Sequence, residues 1–397
     1  MKLPALILRT IRASLTFALP LSVVASVFVA CGGGVETGGT GSFASGTITG
    51  FGSVIVNGVR FDDTAAWVED ADGARRTREE LRLGMTVEID SGAVTQDATG
   101  PVASAARIRF ESELAGPVSS VDRMGSSFML LGQRVTVDSN TVFDERLTQG
   151  LDGLATDRLV EVYAEFDPAA QRYRATRVEP LAAGLPWRLR GLASQVDATA
   201  KTLRIGGTSY GYAGAAGLPA DLAAGQFVRL RLTLASAPLR WVVQSFSPAL
   251  RALPETEEVR LKGLISAFNS TGSFSVNGRA LDATGAIFTD GSAGLAVGVR
   301  VEVEGTVRGG VLRAREVAIK TDEEEHDSGF QLSGHITSVD VAAGTFVLRG
   351  LTISTARPGL VYERGGPADL RGGRHVDVRG LLSADRLRID ATRITFD

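Results

Sequence analysis

Leu81-Arg82-Leu83-Gly84-Met85-Thr86-Val87 is the first of five copies of one heptapeptide pattern, Leu-x-x-Gly-x-x-Val. The second copy carries Asp157 in the place of the glycine. The copies recur about every 70 residues, and self-similarity at a fixed period indicates tandem modules. The leucines that begin them are Leu81, Leu154, Leu222, Leu295 and Leu370. The chain is therefore predicted to consist of five small repeats.

Short runs of alternating apolar and polar residues surround each heptapeptide. The clearest follows it directly, as in Val87-Glu88-Ile89, and period-two alternation is typical of a strand with one buried face. Asn57-Gly58 and Asn277-Gly278 predict tight hairpin turns, because both turn residues need positive φ. We expect each repeat to open with a glycine and a short strand. These glycines are Gly46, Gly116, Gly191, Gly263 and Gly334.

Five short antiparallel strands can bury one face by curling into a small barrel, and closure removes the free sheet edges. The predicted fold class is all-β, with five tandem small five-stranded antiparallel β-barrel (OB-like) modules after a signal peptide. The signature leucines are expected to lie in the module cores. Because the linkers are short, we expect consecutive modules to touch and form a rod or arc.

The predicted segments follow from the repeat and from local composition. They are a lipoprotein signal peptide (1–30), a flexible Gly/Ser/Thr tether (31–45), module 1 (46–112), module 2 (113–182), module 3 (187–250), module 4 (257–321), an acidic linker (322–328) and module 5 (329–397).

The N-terminal residues predict a membrane address. A basic stretch with Lys2 and Arg9 precedes an apolar run over 13–29, which is typical of a secretory signal. The segment before Cys31 resembles a bacterial lipobox, so Cys31 is expected to be acylated. By resemblance to enterobacterial lipoproteins, Gly32 favours the outer membrane. The alternative is an ordinary signal peptide, with Cys31 incidental.

The sequence predicts no catalytic residues, cofactor or metal ligands. Ser209 lies in a Gly-x-Ser-x-Gly match. The nucleophile elbow needs a helix after the serine, and the residues that follow Ser209 are a poor helix start. His335 and His375 are interpreted as ordinary surface histidines; a metal site that they form with Asp377 is the alternative. The acidic linker is interpreted as solvated rather than as a cation site.

Module 3 is unusual because arginines and aromatic residues outnumber its acidic residues. Arginine and aromatic faces suit anionic or sugar ligands. The favoured interpretation is nevertheless that these arginines pair with carboxylates of modules 2 and 4 and hold the array together, and ligand binding is the alternative. The candidate ligand-binding residues are Arg188, Arg190, Arg204, Arg229, Arg231, Trp187, Trp241 and Tyr210.

The repeated pattern resembles the domain of unknown function family number 5666, which recurs in bacterial envelope lipoproteins. Modules 4 and 5 match best, through Gly263, Gly298 and Val301 and through Gly334 and Gly373. Module 3 departs most, since it lacks the glycine after its fourth strand. The motif residues are structural glycines and apolar positions, so the resemblance implies a fold and no activity.

The predicted function is that of a non-enzymatic cell-envelope lipoprotein acting as a structural or interaction scaffold. Its acyl chains would contact the membrane, and an envelope protein is the expected partner. The alternative function is binding of an anionic glycan or lipopolysaccharide by module 3. The formal net charge of −3 gives no global field that favours nucleic acid.

Overall fold

The alternating segments of each repeat form strands that close into a ring. The computed structural model describes residues 41–98, 100–235, 240–324 and 329–397, all within one compact unit. The predicted signal peptide, Cys31 and His326 lie outside the described residues.

The strands are numbered in chain order. In module 1 they are β1 (Ser42–Phe51), β2 (Val54–Val56), β3 (Val59–Asp62), β4 (Trp67–Asp70), β5 (Arg75–Arg76), β6 (Thr86–Ser91), β7 (Thr95–Asp97) and β8 (Gly100–Phe110). In module 2 they are β9 (Leu114–Asp122), β10 (Ser127–Leu130), β11 (Gln133–Thr136), β12 (Val142–Phe143), β13 (Leu159–Asp167) and β14 (Arg172–Pro180). In module 3 they are β15 (Trp187–Asp197), β16 (Thr202–Ile205), β17 (Thr208–Gly211), β18 (Phe227–Leu234) and β19 (Trp241–Ser247).

The last two modules repeat the series. Module 4 contains β20 (Thr256–Ser270), β21 (Ser273–Val276), β22 (Arg279–Asp282), β23 (Ile287–Phe288), β24 (Arg300–Arg308) and β25 (Val311–Lys320). Module 5 contains β26 (Phe330–Asp340), β27 (Thr345–Leu348), β28 (Leu351–Ser354), β29 (Val361–Glu363), β30 (His375–Leu382) and β31 (Ile389–Phe396). Short 3-10 helices span Arg78–Glu80 and Pro367–Asp369.

Each ring closes in the same order. Five strands of each module form the ring, and they are counted here in chain order without the short additional strands; in module 1 they are β1, β2, β3, β6 and β8. The first strand pairs with the second, and the second pairs with the third. The third pairs in parallel with the fifth, the fifth pairs with the fourth, and the fourth pairs with the first. In module 3 this ring is β15, β16, β17, β19 and β18. The same closure recurs in the other four modules. The prediction of an all-β protein with small five-strand barrels is confirmed.

The signature heptapeptide forms a turn that clamps the first strand of its own barrel. Its middle residue has a left-handed backbone in each copy, which glycine adopts without steric cost and aspartate tolerates. The φ values are 82° at Gly84, 64° at Asp157, 89° at Gly225, 85° at Gly298 and 79° at Gly373. In each copy this residue's amide donates to a first-strand carbonyl, as from Gly298 to Ile265 at 2.8 Å. The motif therefore specifies one recurring contact.

The residue that accepts this hydrogen bond marks where the first strand changes partners. In module 4, β20 pairs with β24 up to Leu264 and with β21 from Ile265 onward. The accepting residue lies two positions after the module glycine, as Ile265 follows Gly263. The module glycines therefore lie inside the first strands rather than at their starts, because the strand bends over the barrel at this point.

In modules 1, 2 and 4 these glycines make room for the first residue of the hairpin turn. A Cβ on Gly263 would lie 2.0 Å from Nδ2 of Asn277. The Asn277 side chain occupies that space, accepting a hydrogen bond from the Leu264 amide at 3.1 Å. Asn277 and Gly278 have φ values of 48° and 84°, so the predicted tight turn is confirmed.

Gly263→Ala is expected to lower the free energy of unfolding by about 1–3 kcal/mol, because the new methyl group displaces the Asn277 side chain. The measurement is urea unfolding of the full chain. Gly207→Ala is the matched control, since its Cβ would meet no atom within 4 Å and its φ is not left-handed. Equal stability of the two variants would contradict this account of the repeat glycine.

The signature leucines pack in the barrels as predicted. Leu81, Leu154 and Leu295 are buried, while Leu222 and Leu370 are half-buried and still pack on the cores. The predicted tether is wrong over residues 42–45, which form the start of β1. Phe43 lies among Gly, Ser and Thr residues, so the composition gave no sign that it is a core residue. Its side chain is 1% exposed and belongs to the core of module 4.

Modules that are distant in the sequence share sheets. β1 pairs in parallel with β20 over Ser42–Ser45 and with β26 at Gly50 and Phe51, so module 1 joins modules 4 and 5. β9 pairs with β15, which joins modules 2 and 3. The expected rod or arc of consecutive modules is therefore not formed.

Candidate functional site

Charged side chains from the outer barrel faces meet where modules 1 to 4 come together. They point outward because their strand neighbours, such as Val87 and Ile89 beside Glu88, fill the barrel interiors. We call this cluster the junction. It consists of Glu88, Glu111, Glu113, Arg190, Arg229, Arg251 and Arg279.

Glu88 on β6 holds two arginines from elsewhere in the chain. Arg251 approaches it with Nε 2.6 Å from Oε2 and also binds Asp90 at 2.6 Å, while Arg279 of module 4 pairs with Oε1. Both guanidinium groups lie over the ring of Phe43. Burial alone would raise the pKa of Glu88, but the charges and hydrogen bonds of Arg279 and Arg251 lower it below its ordinary value.

Glu111 and Glu113 lie between modules 1, 2 and 3. Arg190 of β15 donates to Glu113 at 2.7 Å, and Nε of Arg229 lies 2.6 Å from Glu111, without the alignment of a hydrogen bond. Oε2 of Glu113 is buried without a hydrogen-bond partner. Burial raises the pKa of Glu113 to about 7, against the charge of Arg190, and burial also raises the pKa of Glu111.

Glu113 is expected to make the fold less stable as pH rises from about 4.5 to 7. Its pKa is higher in the folded state, so folding binds a proton in this window and stability falls as the proton is lost. Urea unfolding at pH 5, 6, 7 and 8 should show a flatter pH profile for Glu113→Gln than for the wild type. Parallel profiles would contradict the assignment, because other groups contribute equally to both proteins.

A cavity of about 80 Å³ lies at the junction. Its lining includes Glu88, Glu113, Arg190 and Arg279. This volume holds a few water molecules, whereas ligand pockets occupy roughly 300–1,000 Å³. This cavity therefore has the dimensions of a hydrated ionic joint, while a larger cavity of about 590 Å³ borders the junction at Glu111 and Arg229.

Four of the five predicted arginines of module 3 face neighbouring modules. Arg188 lies 2.5 Å from Glu161 of module 2, and Arg190 binds Glu113 of module 2. Asp72 of module 1 pairs with Arg229 at 3.0 Å and with Arg231 at 3.1 Å. The favoured interpretation of internal pairing thus describes the geometry of these four arginines, but the partners belong to modules 1 and 2 rather than to modules 2 and 4.

The predicted aromatic residues do not form an exposed face with these arginines. Tyr210 is buried between modules 2 and 3, where its hydroxyl donates to the Leu131 carbonyl at 2.7 Å. Trp241 lies in the core, with Trp187 packed edge-on against it at 5.8 Å between ring centroids. Arg204 is exposed, and its only described side-chain hydrogen bond is a 3.4 Å contact with the Gly207 carbonyl.

Sequence reasoning missed most of the junction. Arg279 gave no signal, because it follows a hairpin turn in a module with balanced charge. Glu111 and Glu113 gave a weak signal, since two acidic residues directly precede the buried strand β9.

The part of the chain that the structure describes contains no helix long and apolar enough to cross a membrane.

Other candidate residues lie apart from the junction. Ser209 is exposed on β17, and no described hydrogen bond joins it to a histidine. In residues 41–98, 100–235, 240–324 and 329–397, no group of three or more His, Cys, Asp or Glu side chains is arranged to hold a metal ion. His335 and His375 do come together, facing each other across β26 and β30.

The fold and the junction define an array of OB-like barrels joined by buried ion pairs. Three segments, 115–179, 262–318 and 333–395, match the family described as Domain of unknown function (DUF5666). The three segments match separately, which is consistent with tandem repeats of this domain and with the sequence resemblance. No curated protein matches the chain.

Among solved structures, a chain titled "drosophila Unr CSD456" is 15% identical over 52% of this chain and 96% of that one. The TM-score of this match is 0.13.

Proposed function

We propose that this protein is a non-enzymatic lipoprotein of the bacterial cell envelope that acts as a structural or interaction scaffold. The observation that carries the proposal is the pairing of Arg188, Arg190, Arg229 and Arg231 with carboxylates of neighbouring modules. Side chains that would suit a ligand instead hold the barrels to one another. Such an array presents several barrel faces in a fixed arrangement, as a scaffold requires.

The proposed anchor is a set of acyl chains on Cys31. It is supported by the basic and apolar segments before this cysteine and by the lipobox-like residues that precede it. More than one acyl chain gives firm anchoring, whereas a single chain binds membranes only marginally. Outer-membrane attachment is the proposed location, and an envelope protein is the proposed partner.

Cys31→Ser is expected to move the protein from the membrane fraction to the soluble envelope fraction and to abolish incorporation of a palmitate label. The measurement is fractionation of cells that express the full-length protein. Membrane retention of the variant, together with an unlabelled wild type, would exclude the lipid anchor.

The scaffold proposal is tested by chemical crosslinking in intact envelopes, followed by capture of the full-length protein. We expect the same envelope protein in repeated captures, and no retention of the purified protein on an array of anionic glycans. Retention that disappears in Arg204→Glu with Arg231→Glu would instead favour the glycan-binding alternative. Exposed charges are screened within about 10 Å at 0.1 M salt, so the array is read at low salt.

A further inference from the structure

Two histidines form a pair on the outer face of module 5. His335 on β26 lies directly opposite His375 on β30. Both side chains point away from the barrel interior, because the neighbouring Ile336 and Val376 are buried in the core. The imidazole centroids are 5.0 Å apart, with the ring planes at 75°.

The hydrogen-bonding surroundings favour the same tautomer in both rings. Nδ1 of His335 lies 3.0 Å from the carbonyl oxygen of Gly373, which only accepts, so this nitrogen carries the proton. Nδ1 of His375 lies 2.5 Å from a carboxylate oxygen of Asp397, although the contact is not aligned as a hydrogen bond. Each ring then keeps the lone pair on Nε2, which in His375 lies 3.5 Å from the Ser333 hydroxyl. Histidines that bind metals have this arrangement, with the other ring nitrogen held by a carbonyl or carboxylate.

The ring spacing also suits a shared cation. A metal–nitrogen bond of about 2.0–2.1 Å places an imidazole centroid roughly 3 Å from the metal, so two ligands at a tetrahedral angle lie about 5 Å apart. Asp377 is two residues after His375 on the same outward face of β30, opposite Ser333. Among the described residues, Asp377 does not complete a three-residue group arranged to hold a metal ion with the two histidines, so the site consists of the two imidazoles.

We propose that His335 and His375 bind one divalent late transition-metal cation through their Nε2 atoms, with water completing the coordination. Imidazole suits Zn²⁺, Ni²⁺ and Cu²⁺, and affinity for a given nitrogen site is greatest for Cu²⁺. Two protein ligands make this a surface site of modest affinity, so the metal is exchangeable cargo or a bridge to a second molecule rather than a buried structural ion. The site is independent of the junction and of the proposed scaffold function.

The test is titration of the full-length protein with Cu²⁺, followed by calorimetry and by electron paramagnetic resonance. We expect one site with two coupled nitrogens in the wild type. His335→Ala and His375→Ala should each weaken binding at least tenfold and reduce the coupling to one nitrogen. Asp397→Asn should weaken binding about tenfold, because it removes the carboxylate charge beside Nδ1 of His375, and loss of such an outer partner has this effect at other metal sites.

His326→Ala is the matched control, because it removes the remaining histidine and should leave affinity and nitrogen coupling unchanged. Circular dichroism of each variant verifies that the outward substitutions leave the barrels folded, and His335→Gln serves as a second variant. Binding that persists without change in His335→Ala, or that is lost in His326→Ala, would overturn the proposal.

Discussion

Arg190→Ala is expected to lower the free energy of unfolding by about 3–5 kcal/mol, the cost of removing one partner from a buried ion pair. Arg190 donates to Glu113 at 2.7 Å and to the Ala249 carbonyl at 2.8 Å, and its guanidinium group lies over the ring of Phe227. Alanine leaves the Glu113 carboxylate buried without a compensating charge. Modules 2 and 3 also lose a direct link.

Urea unfolding of the full chain measures this effect, with Arg204→Ala as the control. Arg204 is exposed, so its removal should change stability by less than about 0.5 kcal/mol. The loss of unfolding free energy in Arg190→Ala should be smaller at pH 5 than at pH 8. At pH 5 the Glu113 carboxylate can bind a proton, so it is not left as an unpaired buried charge. Similar stabilities of the two variants would show that the junction contributes little.

Leu295→Ala is expected to lower the free energy of unfolding by about 2–5 kcal/mol through the cavity that it leaves. Leu295 is 7% exposed and packs in the core of module 4, which also contains Phe43 from β1. Because β1 belongs to module 1, the damage should extend beyond module 4. Hydrogen exchange should show faster exchange first in β20–β25 and then in β1.

Val297→Ala is the matched control for this substitution. Val297 lies two residues further along the same segment and is 37% exposed, so its truncation should have a small effect. Unchanged exchange in β1 of Leu295→Ala would contradict a core shared between modules 1 and 4.

The barrels were predictable because their signals are local. The alternation around Val87, the Asn57-Gly58 turn and the middle glycines of the signature each specify a backbone conformation within a few residues. Even Leu131-Gly132 and Arg349-Gly350 form left-handed turns, with φ values of 53°, 80°, 51° and 78°. Leu131 adopts this unfavourable conformation as a fully buried core residue, which offsets part of the backbone cost.

The arrangement of the modules was not predictable from one sequence. Alternation indicates that Glu88 and Arg229 point out of their barrels, but it does not indicate whether solvent or another barrel covers them. The arginine excess of module 3 therefore left a ligand face open as the alternative to the favoured internal joint. Residues 42–45 were assigned to the tether because their composition resembles a linker, whereas their pairing with β20 depends on residues far along the chain.

The pairing of β1 with β20 and β26 has a consequence for the order of folding. Ser42 lies beside Glu258, and Gly50 lies beside Gln331, so β1 acquires these two neighbours only after the strands of modules 4 and 5 have been synthesised. Contacts of such large sequence separation slow folding and leave unpaired strand edges exposed in intermediates. A factor that shields β1 until then would therefore increase the yield of native protein, and removal of module 5 would leave Gly50 and Phe51 without their partners in β26.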